Sequence, residues 1–210
     1  PGAQRIRRYD PSEFPQVLST NGFQLPDGYA ENNSNIGFKM AIDMCDEIAK
    51  NREMPKDTAV ILGSFALAHA IKDDFQAAYN SHQRRFSPTK IFMANHDLLS
   101  SLVAGRLKLE GLSTSLNAAC SSSMYNLYMA WLMIQNGDVK SAIVGNVDAP
   151  LWPSFQYYWQ CTSAISTRDG GYSIPFHKDR DGFLQGEGGT VWYVCDEETL
   201  VKYNLTPKAV

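Results

Sequence analysis

The sequence has no window approaching 18 uninterrupted apolar residues, and its opening, PGAQRIRRYD, is followed by no apolar signal-peptide core. Neither a membrane segment nor a secretion signal is expected. No basic stripe with interleaved aromatics occurs, and a net charge of −3 supplies no field for a polyanion, so nucleic acid is not an expected partner. Cysteine is scarce: Cys45, Cys120, Cys161 and Cys195 are the four in 210 residues, and none has CxxC spacing. Their apolar or helical surroundings argue against a zinc site, any other metal site or a disulfide framework, and fit a reducing cytoplasm. Internal repeats and low-complexity tracts are missing too. What remains, 44% hydrophobic and 20% charged, is the composition of an ordinary globular chain long enough to bury a core.

Residues 1–35 are rich in Pro, Gly and Asn (DPSEFP, LPDGYAENNSN) and show no sustained period, so they read as an irregular surface segment, with one folded region over 36–210. Ile36, Met40, Cys45, Ile48 and Ala49 fit one helical face, and Pro55 forbids its continuation. TAVILGS, Thr58 to Ser64, predicts a strand covered on both faces, as in a parallel sheet. A polar connection with Arg84, Arg85 and Pro88 follows. HDLLSSLVAGRLKL then predicts a helix with Leu98, Leu99, Leu102, Val103 and Leu107 on its face, ended by Gly111. STSLN reads as a short strand. Beyond it Met124, Leu127, Tyr128, Trp131 and Ile134 form the stripe of a buried helix, with Asn136-Gly137 as its stop. SAIVGNV is a further buried strand. The aromatic run LWPSFQYYW leads to the turn-rich STRDGGYSIP, and a last strand is expected from Thr190 to Cys195. Strands alternating with helices give an α/β layer fold.

One cysteine stands apart. Cys120 lies in NAACSSS, between small residues and at the junction of a predicted strand and a predicted helix. A sulfur there sits near unpaired N–H groups and the positive end of the helix dipole, which favours the thiolate, the nucleophile of acyl transfer. N–H groups of the same turn can hold the oxyanion of a tetrahedral intermediate, and Ala118, Ala119 and Ser121 to Ser123 leave room for an acyl chain or carrier arm. On spacing alone a packed core cysteine is the commoner alternative.

Five ordered stretches resemble one family. ILGS with small residues after it, VAGRLKLEGLS, NAACSSS, SAIVGNVD and STRDGGYSIPFHKDRDGFLQGEGG follow in order within Thr58 to Val194. Together they resemble the β-ketoacyl synthases, the condensing enzymes of fatty-acid and polyketide synthesis, with DRDGF-x-x-GEG the most specific match. The resemblance implies a thiolase-like α/β fold, layered α/β/α/β/α, of which this chain supplies most of the N-terminal half. It implies an acyltransferase with Cys120 as nucleophile: an acyl group passes from the phosphopantetheine arm of an acyl carrier protein to the sulfur. A malonyl unit on a carrier then loses carbon dioxide, and its carbanion attacks the thioester. No bound cofactor is implied. Ala66, Trp159 and Cys161 fall where family members place parts of the acyl pocket, and Asp179, Arg180, Asp181, Phe183 and Glu187 match the DRDGF-x-x-GEG motif in a structural, site-shaping role.

The family's two catalytic histidines stand in HGTGT and N-x-x-FGFGG motifs in its second half. His69, His82, His96 and His177 stand in neither motif, so none is assigned a catalytic role, and the second half is expected as a partner, in the same polypeptide or a separate chain. A dimer through STSLN is also implied. A rival reading is a non-catalytic thiolase-fold subunit, like a chain-length factor, that shapes an active partner's pocket; such subunits typically lose the cysteine that is retained here. A thiolase using free coenzyme A is a second rival, which the DRDGFLQGEG stretch disfavours.

Overall fold

Five consecutive residues without a polar side chain, AVILG, have no wet face to offer and belong in a sheet covered on both sides. In the computed structural model, which describes residues 3–29, 36–50, 52–82, 88–168 and 170–209, they form such a strand, buried at every position. The elements in chain order are β1 (Gln4–Arg5), β2 (Asn21–Gly22), α1 (Ile36–Ala49), β3 (Ala59–Gly63), α2 (Leu67–Asn80), α3 (Pro88–Met93) and α4 (Asp97–Leu107). They continue with β4 (Ser113–Thr114), α5 (Ser122–Gln135), β5 (Ser141–Asp148), α6 (Pro153–Cys161), β6 (Gly188–Cys195) and α7 (Glu197–Lys202). None of the helices among the described residues is long and apolar enough to cross a membrane.

The chain divides into two compact units: residues 1–36, 66–94 and 148–188 form the first, and residues 37–65, 95–147 and 189–210 the second. The second holds the main sheet, ordered β4-β3-β5-β6, with β3 parallel to both β4 and β5. Ile61 pairs with Val144 and with Thr114, and Ala59 and Ile61 join Ala142, Val144 and Ala130 of α5 in one core cluster. Strand alternation turns Val60 and Leu62, equally buried, to the other face. α4 packs on β3 and β4, and Arg106 near its end reaches Asp46 of α1 at 3.0 Å.

Two helices depart from expectation. The stripe read as the buried face of α5 is exposed: Met124 is 67%, Tyr128 54% and Trp131 52% accessible, while Ser122, Asn126 and Ala130 face inward. Ala130 sits in the core cluster with Met129 and Met133 packed against it, so the inward face lies beside the stripe and not on it. α4 ends at Lys108 in the left-handed region (φ 55°), whose N–H reaches back to Ala104 and Gly105, rather than at Gly111. Its buried residues are Leu99, Ser100, Val103 and Ala104, with Leu102 exposed. The aromatic run is itself a helix, α6, with Pro153 in its first turn, where a missing N–H costs nothing.

The first unit gathers the sequence's irregular parts. β1 and β2 pair antiparallel, and short bridges link Phe23 to Gly186 and Ile165 to Phe183. α2 packs against both α3 and α6. The connection carrying Arg84 and Arg85 lies outside the described residues.

Candidate active site

The site builds from the end of β4. Past Ser115 the chain leaves the sheet, and its N–H groups need new acceptors. Leu116 donates to Oδ1 of Asn126 at 3.1 Å, and Nδ2 of the same amide donates to the Gly145 carbonyl at 3.1 Å. This fully buried asparagine on α5 thus pins the strand end to β5. Gly63 makes room for it: a Cβ there would stand 2.7 Å from Asn126 Nδ2 and 2.6 Å from Asn146 Oδ1.

The next amide shapes the turn. Asn117 Oδ1 accepts from the Ala119 N–H at 3.1 Å, and Ala119 takes the left-handed region at φ 53°. An alanine there is strained by about 1–2 kcal/mol, so the turn depends on bonds that hold it. Two serines supply more of them. Ser122 Oγ accepts from the Ala118 N–H at 2.9 Å and donates to the Ala119 carbonyl at 2.5 Å, and Ser121 Oγ donates to the Ala118 carbonyl at 2.7 Å. Residues Ala119–Ser121 form one turn of 3-10 helix that runs directly into α5, and Cys120 lies exposed in the middle of it. The serines around the cysteine are therefore the fasteners of its turn.

Asn117 has a second set of partners that sequence reasoning did not anticipate. Its Nδ2 donates to the Ser64 carbonyl at 3.3 Å and stands 3.3 Å from Nε2 of His96. A lone histidine outside any motif carries no signal of this. Asn117, an Asx residue two positions before an N–H that needs an acceptor, did carry one.

The other predicted site residues lie in the first unit. Ala66 is buried and donates its N–H to Asp148 Oδ1 at 2.7 Å. Trp159, on α6, meets Phe183 edge-to-face at 5.5 Å, with Phe155 and Tyr158 also edge-on to it. Cys161 is exposed at the end of α6. Within the motif Asp181 accepts from Ser166 Oγ at 2.8 Å and lies 3.4 Å from Arg168 Nε. Gly182, at φ 135°, permits a close approach in which a Cβ would stand 2.5 Å from Ile165 C and Ser166 N. Glu187 is fully engaged by Arg8 and the Leu25 N–H. Asp179 and Arg180 are exposed, bonded to His177 through a backbone N–H and a guanidinium. Cys120, Cys45 and Cys195 belong to the second unit, where Cys45 is buried and its thiol pushed up to about 12 by burial, helped by Asp46.

Residues 44–198 match the family model of the β-ketoacyl synthase N-terminal domain. The chain belongs to that family. A β-ketoacyl synthase relative, 3-oxoacyl-[acyl-carrier-protein] synthase 2 of Coxiella burnetii, is 30% identical over 139 residues, 65% of this chain and 34% of that protein. Among solved structures, the ketosynthase/chain length factor of ishigamide superposes with TM-score 0.78 at 20% identity, over 97% of this chain and 53% of that one. A type II polyketide ketosynthase solved with its acyl-carrier protein, AntDE:AntF, gives 0.81 at 15% identity over the same shares. The chain thus spans about a third to a half of these relatives, and its fold is the thiolase-like fold of ketosynthases, as the sequence resemblance implied.

Proposed function

We propose that this chain is the nucleophile-bearing half of an elongating β-ketoacyl-[acyl carrier protein] synthase. The observation that carries this reading is the exposed Cys120, held at the start of α5 on a turn fastened by Asn117, Ser121 and Ser122, in a β-ketoacyl synthase N-terminal domain. The Cys120 thiolate attacks the thioester carbonyl of an acyl group on a carrier's phosphopantetheine; the carrier thiol leaves with a proton, and the acyl group stays on sulfur. Malonyl carrier then decarboxylates, and its carbanion attacks that thioester, expelling Cys120 and forming the carbon-carbon bond. Histidines of the second half serve the decarboxylation, and N–H groups at the Cys120 turn hold the oxyanion. Trp159, Ala66 and Cys161 are assigned to the acyl pocket.

The partners follow from surfaces. The second half covers the exposed stripe Met124, Tyr128 and Trp131 of α5, since bare aromatics in a row are what an interface core looks like before assembly. β4 lies at the end of the sheet, where a second copy adds its own strand to make the dimer.

The test is acyl loading in the complete protein, read by mass spectrometry with an acyl carrier protein as donor. Wild type, Cys45→Ala and Cys195→Ala gain the acyl mass, and Cys120→Ala does not. Loading that persists in Cys120→Ala overturns the mechanism; wild type that never loads points instead to a subunit of the chain-length-factor kind.

A further inference from the structure

We infer that His96 is a positioning residue for the nucleophile: its ring, acting through Asn117, locks the turn that presents Cys120. The inference rests on Cys120 being the acyl acceptor, and the geometry extends three residues back from it. Asn117 must accept at Oδ1, because the Ala119 N–H points there, so Nδ2 has two hydrogens to place. One goes to the Ser64 carbonyl, and the other faces His96 Nε2. That nitrogen therefore accepts, and the ring proton resides on Nδ1.

Two observations separate this from an incidental contact. First, Nδ1 of His96 is buried with no hydrogen-bond partner among the described residues. A buried N–H without an acceptor is unfavourable, and an apolar side chain would avoid it. The ring nitrogens are retained for Nε2. Second, the backbone beneath the ring is fastened: the His96 carbonyl accepts from Ser115 Oγ at 2.9 Å, while Asp97 Oδ1 accepts from the Ser115 N–H at 2.9 Å. The backbone that carries the ring is thereby held in place opposite Asn117. Without an acceptor at Nε2, the amide loses one of the two bonds of its Nδ2, which together oppose a reversal that would turn NH2 against the Ala119 N–H. The strained Ala119 then relaxes, and the sulfur leaves its place at the start of α5.

The test uses the complete protein and iodoacetamide, reading the alkylation rate of Cys120 against that of the exposed Cys161 in the same sample by peptide mass spectrometry. His96→Ala and Asn117→Ala each lower the ratio about tenfold, and the double variant lowers it no further, as for two residues acting through one link. His96→Gln places an amide oxygen where Nε2 was and restores the ratio; His96→Asn reaches only the Nδ1 position and does not. If His96→Ala fails to fold, the contrast between Gln and Asn decides alone. An unchanged or raised ratio in His96→Ala, or equal rescue by Gln and Asn, overturns the inference. Because alkylation needs no carrier, these outcomes are separate from acyl loading: normal loading with an indifferent His96 sinks this inference alone, and absent loading with a sensitive His96 sinks the ketosynthase reading alone.

Discussion

Arg8 and Glu187, 179 residues apart, form a buried fork-to-fork ion pair, with Nε to Oε1 at 3.0 Å and the second guanidinium nitrogen to Oε2 at 2.6 Å. Their side chains are 5% and 1% exposed. The carboxylate also accepts the Leu25 N–H at 2.8 Å, so the pair ties the N-terminal segment to the GEGG stretch within the first unit.

Removing one partner leaves the other charged and dry. Arg8→Ala and Glu187→Ala are each expected to destabilise by about 3–5 kcal/mol, whereas Arg8→Met with Glu187→Leu is expected to cost far less, because it removes both charges. Urea unfolding of the three variants checks this. A double variant worse than either single one would contradict it.

Gly182 is a second backbone requirement of the motif. Its φ of 135° and the absence of space for a Cβ against Ile165 and Ser166 mean that Gly182→Ala adds strain and a clash together. A loss of at least about 2 kcal/mol is expected in the same unfolding assay. Alanine at Gly188, around which a Cβ meets nothing within 4 Å, is the control and is expected to be close to neutral.

The strands were legible because β3 is a continuous apolar run ending in glycine and β5 carries the run Ala142 to Val144 before Gly145, a pattern that suits a doubly covered strand. The cysteine turn was legible as a strand-to-helix junction. Which face of α5 turns inward was not: periodicity finds an apolar stripe but does not say what covers it, and here Asn126 is needed inside to pair Leu116 and Gly145. Arg8–Glu187 and His96–Asn117 were invisible for a different reason. Contacts between distant residues leave no local pattern.

The exposed α5 face yields a test of assembly. Hydroxyl-radical footprinting of the complete protein is expected to find Met124, Tyr128 and Trp131 protected, although each is more than half accessible in this chain by itself. Oxidation as fast as in an unfolded control would mean that the stripe stays open to solvent and that the second half docks elsewhere.

Alkaline stability depends on Cys45. Burial, helped by the charge of Asp46, raises its thiol from 9.0 to about 12, so between those values the unfolded chain gives up a proton that the native state retains. Its contribution to stability is therefore complete below about pH 9 and is lost as pH rises toward 12, at up to about 1.4 kcal/mol per pH unit. Tyr9, pushed from 10.0 to about 12 by burial, adds a similar loss over a narrower window. Thermal unfolding from pH 7 to 11 is expected to show Tm falling more steeply above pH 9 in wild type than in Cys45→Ala. The alanine variant begins lower, since it leaves a small cavity in α1's buried face, and the two curves converge as pH rises. Parallel curves would mean that the thiol ionises natively, and that Cys45 is reached by water.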